Sequence, residues 1–350
     1  MRRRRVALVP GDGIGPEVLP VAAVLMDAVA CRHGFLLELF TMPWGERHAA
    51  ACGDLAPPDA IDALRSFEAV VLGAARPAPA AAGASLDAFL RRGLGHRVRV
   101  RPMRAWPGLA SPLLPELASA LDGLLVSPAE PAEAATSLDE DGTLRWTSGW
   151  STAAAAALAV QAFTVAARRP RRLLHAAVER PGDDAWGAVW REALAGAAAG
   201  APEVTWRLAT GPELLGALLM HPHAVDVVVA PAPQVPALDG VLDALQGGAS
   251  IPAAAYLDPT GQAPPMLAPT HGPRPELVGH AMANPLGACW AGALALDALG
   301  ERQAAQAMLR AIARVTAARR VLTPDLGGSA STAEVQTALE QALVTEGGSA

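Results

Sequence analysis

The chain contains no lysine; all 28 of its basic residues are arginine. A guanidinium holds charge but does not readily give up a proton, so amine acid–base chemistry is excluded from any mechanism. Tyr256 is the only tyrosine, which removes the phenol almost as completely. Cysteine is scarce too: Cys31, Cys52 and Cys289 are odd in number, far apart and in no metal-ligand spacing. That excludes a disulfide framework and suits a reducing, cytoplasmic setting. Long apolar runs are missing. Residues 152–167 come nearest, but they are alanine-rich, interrupted by Gln161 and shorter than a bilayer requires, so a buried helix is expected and no membrane partner. Only Val6 to Val9 separate the arginines at positions 2–5 from Pro10, too little for an export signal. A net charge of −6 gives no general attraction to nucleic acid.

What is present is a chain of 350 residues, 51% hydrophobic and 18% charged, enough for one large or two medium globular domains. Its opening stretch, Val6-Ala7-Leu8-Val9-Pro10-Gly11-Asp12-Gly13-Ile14-Gly15-Pro16-Glu17-Val18, reads as strand, tight loop and helix, with Pro16 in the first helical turn. The Gly-x-Gly-x-Gly spacing differs from the dinucleotide fingerprint, so spacing alone leaves a ligand loop and a plain turn both open. Strands are predicted at residues 35–40, 67–73, 98–103, 121–126, 173–178 and 225–229, and helices at 57–65, 86–93, 152–168, 186–199, 286–299 and 301–322. Strands and helices alternate, the pattern of an α/β fold with a parallel sheet. Residues 77–83 form a low-complexity loop, and the tail from Gly347 is expected to fray. The turn at Asp141-Gly142 is expected to carry a small hairpin.

A second informative stretch is His271-Gly272-Pro273-Arg274-Pro275-Glu276-Leu277-Val278-Gly279-His280-Ala281-Met282-Ala283-Asn284-Pro285. Together with the opening loop it resembles the isocitrate/isopropylmalate dehydrogenase family, in which a loop of this form leads to Ala-Asn-Pro and wraps the adenosine part of the cofactor. The match covers nearly the whole chain. It implies a two-domain α/β fold with an inter-domain cleft, residues 1–105 and 250–350 forming the first domain and 106–249 the second. It also implies NAD held by Ile14, His271, Gly272, Glu276, Leu277 and Asn284, since a carboxylate at Glu276 suits free ribose hydroxyls and repels a 2′-phosphate.

On the substrate side the resemblance implies that Arg91 and Arg101 bind a small carboxylate through planar guanidinium forks. The bland alternative is a solvated basic face, because Arg92, Arg97, Arg99 and Arg104 lie nearby. The family's third arginine falls at Ser127, its catalytic tyrosine near Ala134 and its lysine at Arg180. Its metal aspartates fall at Pro236 and Gly240 without gaps, and the partner subunit's aspartate at Pro212, beside Glu213. Asp239 and Asp243 have the helical spacing for Mg²⁺ or Mn²⁺ if the alignment slips by three residues. A homodimer, or a heterodimer with a paralogue, is implied, with residues 138–150 as the pairing arm. Two functions are therefore expected. One is a dehydrogenase that oxidatively decarboxylates a 2-hydroxy dicarboxylic acid of the 3-isopropylmalate type. The other is a catalytically degenerate regulatory subunit or ligand sensor.

Overall fold

A computed structural model describes residues 2–74, 85–130, 133–139, 141–179 and 185–344. The predicted loop at 77–83, Arg180 and the tail from Gly347 lie outside the described residues. Along the chain come β1 (Arg2–Gly11), α1 (Gly15–Arg32), β2 (Phe35–Thr41), α2 (Glu46–Cys52), α3 (Ala60–Arg65), β3 (Ala69–Ala74), α4 (Leu86–Gly93) and β4 (Val98–Arg104). Next are α5 (Pro115–Ser119), β5 (Asp122–Pro128), β6 (Glu133–Leu138), β7 (Leu144–Gly149), α6 (Thr152–Ala167), β8 (Leu173–Val178) and α7 (Ala185–Ala199). After β9 (Thr205–Thr210), α8 (Gly211–Met220), β10 (Val227–Val229) and α9 (Val235–Leu245), the chain closes with β11 (Ala253–Leu257), β12 (Met266–Pro269), α10 (Leu286–Ala298), α11 (Arg302–Ala318) and α12 (Thr332–Val344).

These elements divide into two compact units. The first comprises Met1–His96, Arg104–Leu114 and Asp243–Ala350, the second Arg97–Met103 and Pro115–Leu242. Relative to the sequence-based division, residues 97–103 move to the second unit, while 106–114 and 243–249 move to the first.

In the first unit the strand order is β2-β1-β3-β12-β11, parallel except for the antiparallel β11–β12 pair. Alternation along β1 and β3 explains why the sheet is covered on both faces. Val6, Leu8, Ala69 and Val71 join a core with α1, α10, α11 and α12, while Ala7, Val9, Val70 and Leu72 join another with α3 and α4. In the second unit the order is β4-β5-β10-β8-β9, with β5, β10, β8 and β9 parallel. Leu174, Ala176 and Val178 of β8 pack with Val227 and Val229 of β10 against Ala155, Leu158, Ala162 and Phe163 of α6 and Trp190 and Leu194 of α7. Ser151 starts α6 by accepting a hydrogen bond from Ala154 N at 3.1 Å.

Most predicted elements occur close to their expected bounds, α4 and β8 at the expected residues. The helix expected to reach Leu322 ends instead at Ala318, because Arg319 turns into the left-handed region at φ 53°. The hairpin is formed by β6 and β7, antiparallel with Leu138 opposite Leu144.

Candidate functional site

In the first unit, the turn between β1 and α1 meets the loop at residues 271–285. Ile14 N donates to Pro273 O at 2.9 Å, and Glu17 Oε1, one turn into α1, accepts from Gly279 N at 2.7 Å. Gly13 is required by this approach. Its φ is +58°, and a Cβ there would stand 1.9 Å from Pro273 O. Ile14 itself is buried and its N–H is taken, so its contribution is to tie the two loops together. Beyond Pro273, Arg274 adopts φ 46° and starts a short 3₁₀ turn at Pro275–Leu277, leaving the Glu276 side chain 61% exposed and 3.8 Å from Arg274 Nη1.

His271 is buried. Its Nδ1 lies 2.9 Å from Gly272 O, while its Nε2 has no hydrogen-bond partner. Burial pushes its imidazole below the usual range, against the Gly272 hydrogen bond, and the Arg274 charge adds to the downward shift. Asn284 is committed at both ends, donating to Asp325 Oδ2 at 2.9 Å and accepting from Leu286 N at 3.0 Å. Gly272 is exposed and Leu277 half-buried against the core. The structure thus places five expected cofactor residues in one loop and Ile14 against it. An orphaned buried ring nitrogen, an exposed glycine and an exposed carboxylate beside it fit a nucleotide.

The substrate arginines fare differently. Arg91, in the first unit, pairs with Asp87 one turn earlier on α4 at 2.7 Å and lies 5.1 Å over the Tyr256 ring. Arg101, in the second unit, is on β4 and is 1% exposed. Its Nη1 donates to Asp239 Oδ1 at 2.7 Å, and Arg99, two residues earlier on the same strand face, grips both Asp239 oxygens at 2.7 and 3.0 Å. Burial would raise the Asp239 pKa, but the hydrogen bonds and charges of Arg99 and Arg101 hold it below the usual carboxylate range.

Asp239 and Asp243, the residues expected to hold a metal, stand in this setting. Both residues do lie one turn apart on α9, yet both oxygens of Asp239 are occupied by guanidinium donors. Among the described residues no group of three or more His, Cys, Asp or Glu side chains is placed to hold a metal ion. As placed, the donor set does not fit a divalent cation. Nor is Arg101 part of a solvated basic face, since it is buried.

A family model for isocitrate/isopropylmalate dehydrogenase matches residues 5–340. The chain belongs to this family. A probable tartrate dehydrogenase/decarboxylase of Agrobacterium vitis is 30% identical over 355 residues, covering 98% of each protein. The D-malate dehydrogenase (decarboxylating) of Escherichia coli K12 is 31% identical, covering 97% of this chain and 98% of that one. The crystal structure of isocitrate dehydrogenase from Methylococcus capsulatus has the same α/β fold, with a TM-score of 0.82 and 21% identity over 97% of this chain and 99% of that one. Members of the isocitrate/isopropylmalate dehydrogenase family are NAD(P)-dependent and use a divalent metal ion.

The remaining positions that the resemblance marks lie in the second unit. Ser127 is fully buried, and its Oγ donates weakly to Pro128 O at 3.3 Å. Ala134 lies in β6, opposite Ser148. Pro212 occupies the first turn of α8, and the adjacent Glu213 carboxylate folds back onto Thr210 N at 2.7 Å and Oγ1 at 2.9 Å as a capping box. Sequence reasoning missed Arg99 as a partner of Asp239. The alternation Val98-Arg99-Val100-Arg101 was the available signal, because it sets both arginines on one face of a strand. It also missed Glu17, whose carboxylate anchors Gly279.

Proposed function

We propose that this chain is an NAD-binding member of the isocitrate/isopropylmalate dehydrogenase family that has lost ordinary oxidative decarboxylation and serves, as a homo- or heterodimer, as a regulatory subunit or a sensor of a small carboxylate. The observation that carries this reading is the Arg99–Asp239–Arg101 cluster. A guanidinium fork that would receive a substrate carboxylate already holds one from the chain itself, and the carboxylate that would receive a metal is neutralised by the same forks. Bound NAD would supply a hydride acceptor. Accepting hydride from a hydroxyl carbon also requires a group to take the hydroxyl proton, and arginine, which stays protonated, cannot serve. The lysine-free sequence offers no amine for that step. In the loop at 271–285, Glu276 is the group for the adenosine ribose hydroxyls, and His271 Nε2 is a buried polar atom without a hydrogen-bond partner.

A second reading is favoured by relatedness. Identity near 30% along almost the whole length of tartrate and D-malate dehydrogenases supports a working enzyme on a similar 2-hydroxy dicarboxylate, with relocated acid–base groups. The test is NADH formation by the purified protein with Mn²⁺ across 3-isopropylmalate, isocitrate, D-malate and tartrate, alongside calorimetric titration with NAD and NADP. NAD binding without turnover is the expected outcome. Turnover that disappears in Arg101→Ala would overturn the silent reading in favour of the enzyme, and absence of NAD binding would overturn both.

A further inference from the structure

Alternation along β8 sends Leu174, Ala176 and Val178 toward α6 and α7, so His175 faces the other way, toward α8. His175 is fully buried, and neither of its ring nitrogens has a hydrogen-bond partner. Burying an imidazole in this way forfeits a donor and an acceptor together, a cost that a ligand would remove. The ring lines a cavity of about 160 Å³ beneath α8, with Arg207 and Ala209 of β9 and Glu213, Leu214 and Ala217 of α8 sharing the lining. A water molecule's share of the liquid is about 30 Å³, so the space suits a ligand of about four or five non-hydrogen atoms.

The charges around this cavity favour an anion. Arg207 lies opposite His175 across the β8–β9 pair with its side chain exposed, and the Arg171 charge also reaches the ring. Two carboxylates stand near, and both are engaged. Asp226 accepts from Arg169 Nε at 2.8 Å and Arg171 Nη2 at 3.3 Å, while Glu213 folds back onto Thr210 N at 2.7 Å to cap α8. Burial keeps the imidazole neutral near pH 7, so the ring offers one N–H and one bare nitrogen. Its χ2 is a broad torsion, and a ring with no hydrogen bond to break can turn to present either edge. Ala209, Leu214 and Ala217 make the remaining lining apolar.

We propose that this cavity binds a short monocarboxylate, of which acetate is the type. The carboxylate pairs with the Arg207 fork and accepts the His175 N–H, and the methyl group lies against Ala209, Leu214 and Ala217. The site lies wholly within the second unit, uses neither the Arg99–Asp239–Arg101 cluster nor the loop at 271–285, and does not rest on the proposed function.

The test is titration of the full-length protein with sodium acetate at constant ionic strength, followed by saturation-transfer NMR on the methyl protons and by calorimetry. Saturable binding at one site per chain is expected, with acetamide, a neutral molecule of the same shape, weaker by about tenfold or more. Bicarbonate, which shares the planar oxyanion but sets a hydroxyl against the apolar wall, is expected to bind less tightly than acetate. Arg207→Met and His175→Leu should each weaken acetate by about tenfold, because each removes one donor to the carboxylate. Arg168→Met, which removes an exposed charge outside the lining, should leave acetate binding unchanged. Should His175→Leu fail to fold, Arg207→Met, at an exposed position, decides the matter. No saturable binding of acetate, equal binding of acetamide, tighter binding of bicarbonate, or an Arg207→Met variant that binds acetate like the wild type would each overturn the proposal.

Discussion

His175 shows how strongly a single side chain's setting governs its chemistry. It sits in the middle of β8, fully buried, with both ring nitrogens unpartnered, and Arg207 lies directly beside it across the β8–β9 pair. Burial, and after it the charges of Arg207 and Arg171 against that of Asp226, lower its pKa from 6.5 to about 4. Buried Asp226, by contrast, keeps its charge company, accepting from Arg169 Nε at 2.8 Å and Arg171 Nη2 at 3.3 Å. The folded His175 therefore resists a proton that the unfolded chain accepts, so stability is full above pH 6.5 and falls as pH drops toward 4. The loss from this residue reaches about 3 kcal/mol at the acid end. Urea unfolding at about pH 7 and about pH 5 should show a falling midpoint in the wild type and a shallower fall in His175→Leu. Parallel slopes for the two proteins would mean that His175 is not the group titrating.

At the scale of an element, the turn into α1 is defined by contact more than by conformation. Gly13 and Gly34 both have positive φ, at +58° and +72°. Around Gly34 nothing stands within 4 Å of an added Cβ, whereas at Gly13 the carbonyl of Pro273 does. Gly34→Ala should therefore cost about 1 kcal/mol of backbone strain and leave NAD binding unchanged. Gly13→Ala must push the loop at 271–285 away and break the bond from Ile14 N to Pro273 O. A stability loss of about 2 kcal/mol or more and at least about tenfold weaker NAD binding are expected. Thermal unfolding and calorimetry on the two variants separate strain from contact; equal effects on NAD binding would show that the loop approach does not shape the nucleotide site.

For the whole molecule, the hairpin of β6 and β7 ends in a cross-strand pair of leucines, Leu138 and Leu144, each 71% exposed. An isolated two-stranded hairpin is marginal in water, and apolar residues at its end gain only when another surface covers them. Dimer formation through this arm, proposed from the family resemblance, predicts that the double variant Leu138→Asp/Leu144→Asp shifts sedimentation toward a monomer. A wild-type protein that already sediments as a monomer would refute the arm's role.

Local patterns carried the secondary structure and singled out the loop at residues 271–285. The bounds of α4 and β8 follow from apolar spacing between turn signals, and the loop at 271–285 from its run of glycine, proline and asparagine. These are short-range matters, decided by torsional preference and by which side of a strand or helix meets apolar neighbours. The partner of Arg101 was of another kind. Asp239 lies 138 residues away, and spacing with Asp243 on one helix face reads equally as a metal pair. Only the packing of α9 against β4 decides that its carboxylate meets two guanidinium groups, because an ion pair is settled by distance in space and by the cost of leaving a buried charge unmatched. The absence of lysine was plain in the sequence itself, and so was the chemistry it excludes.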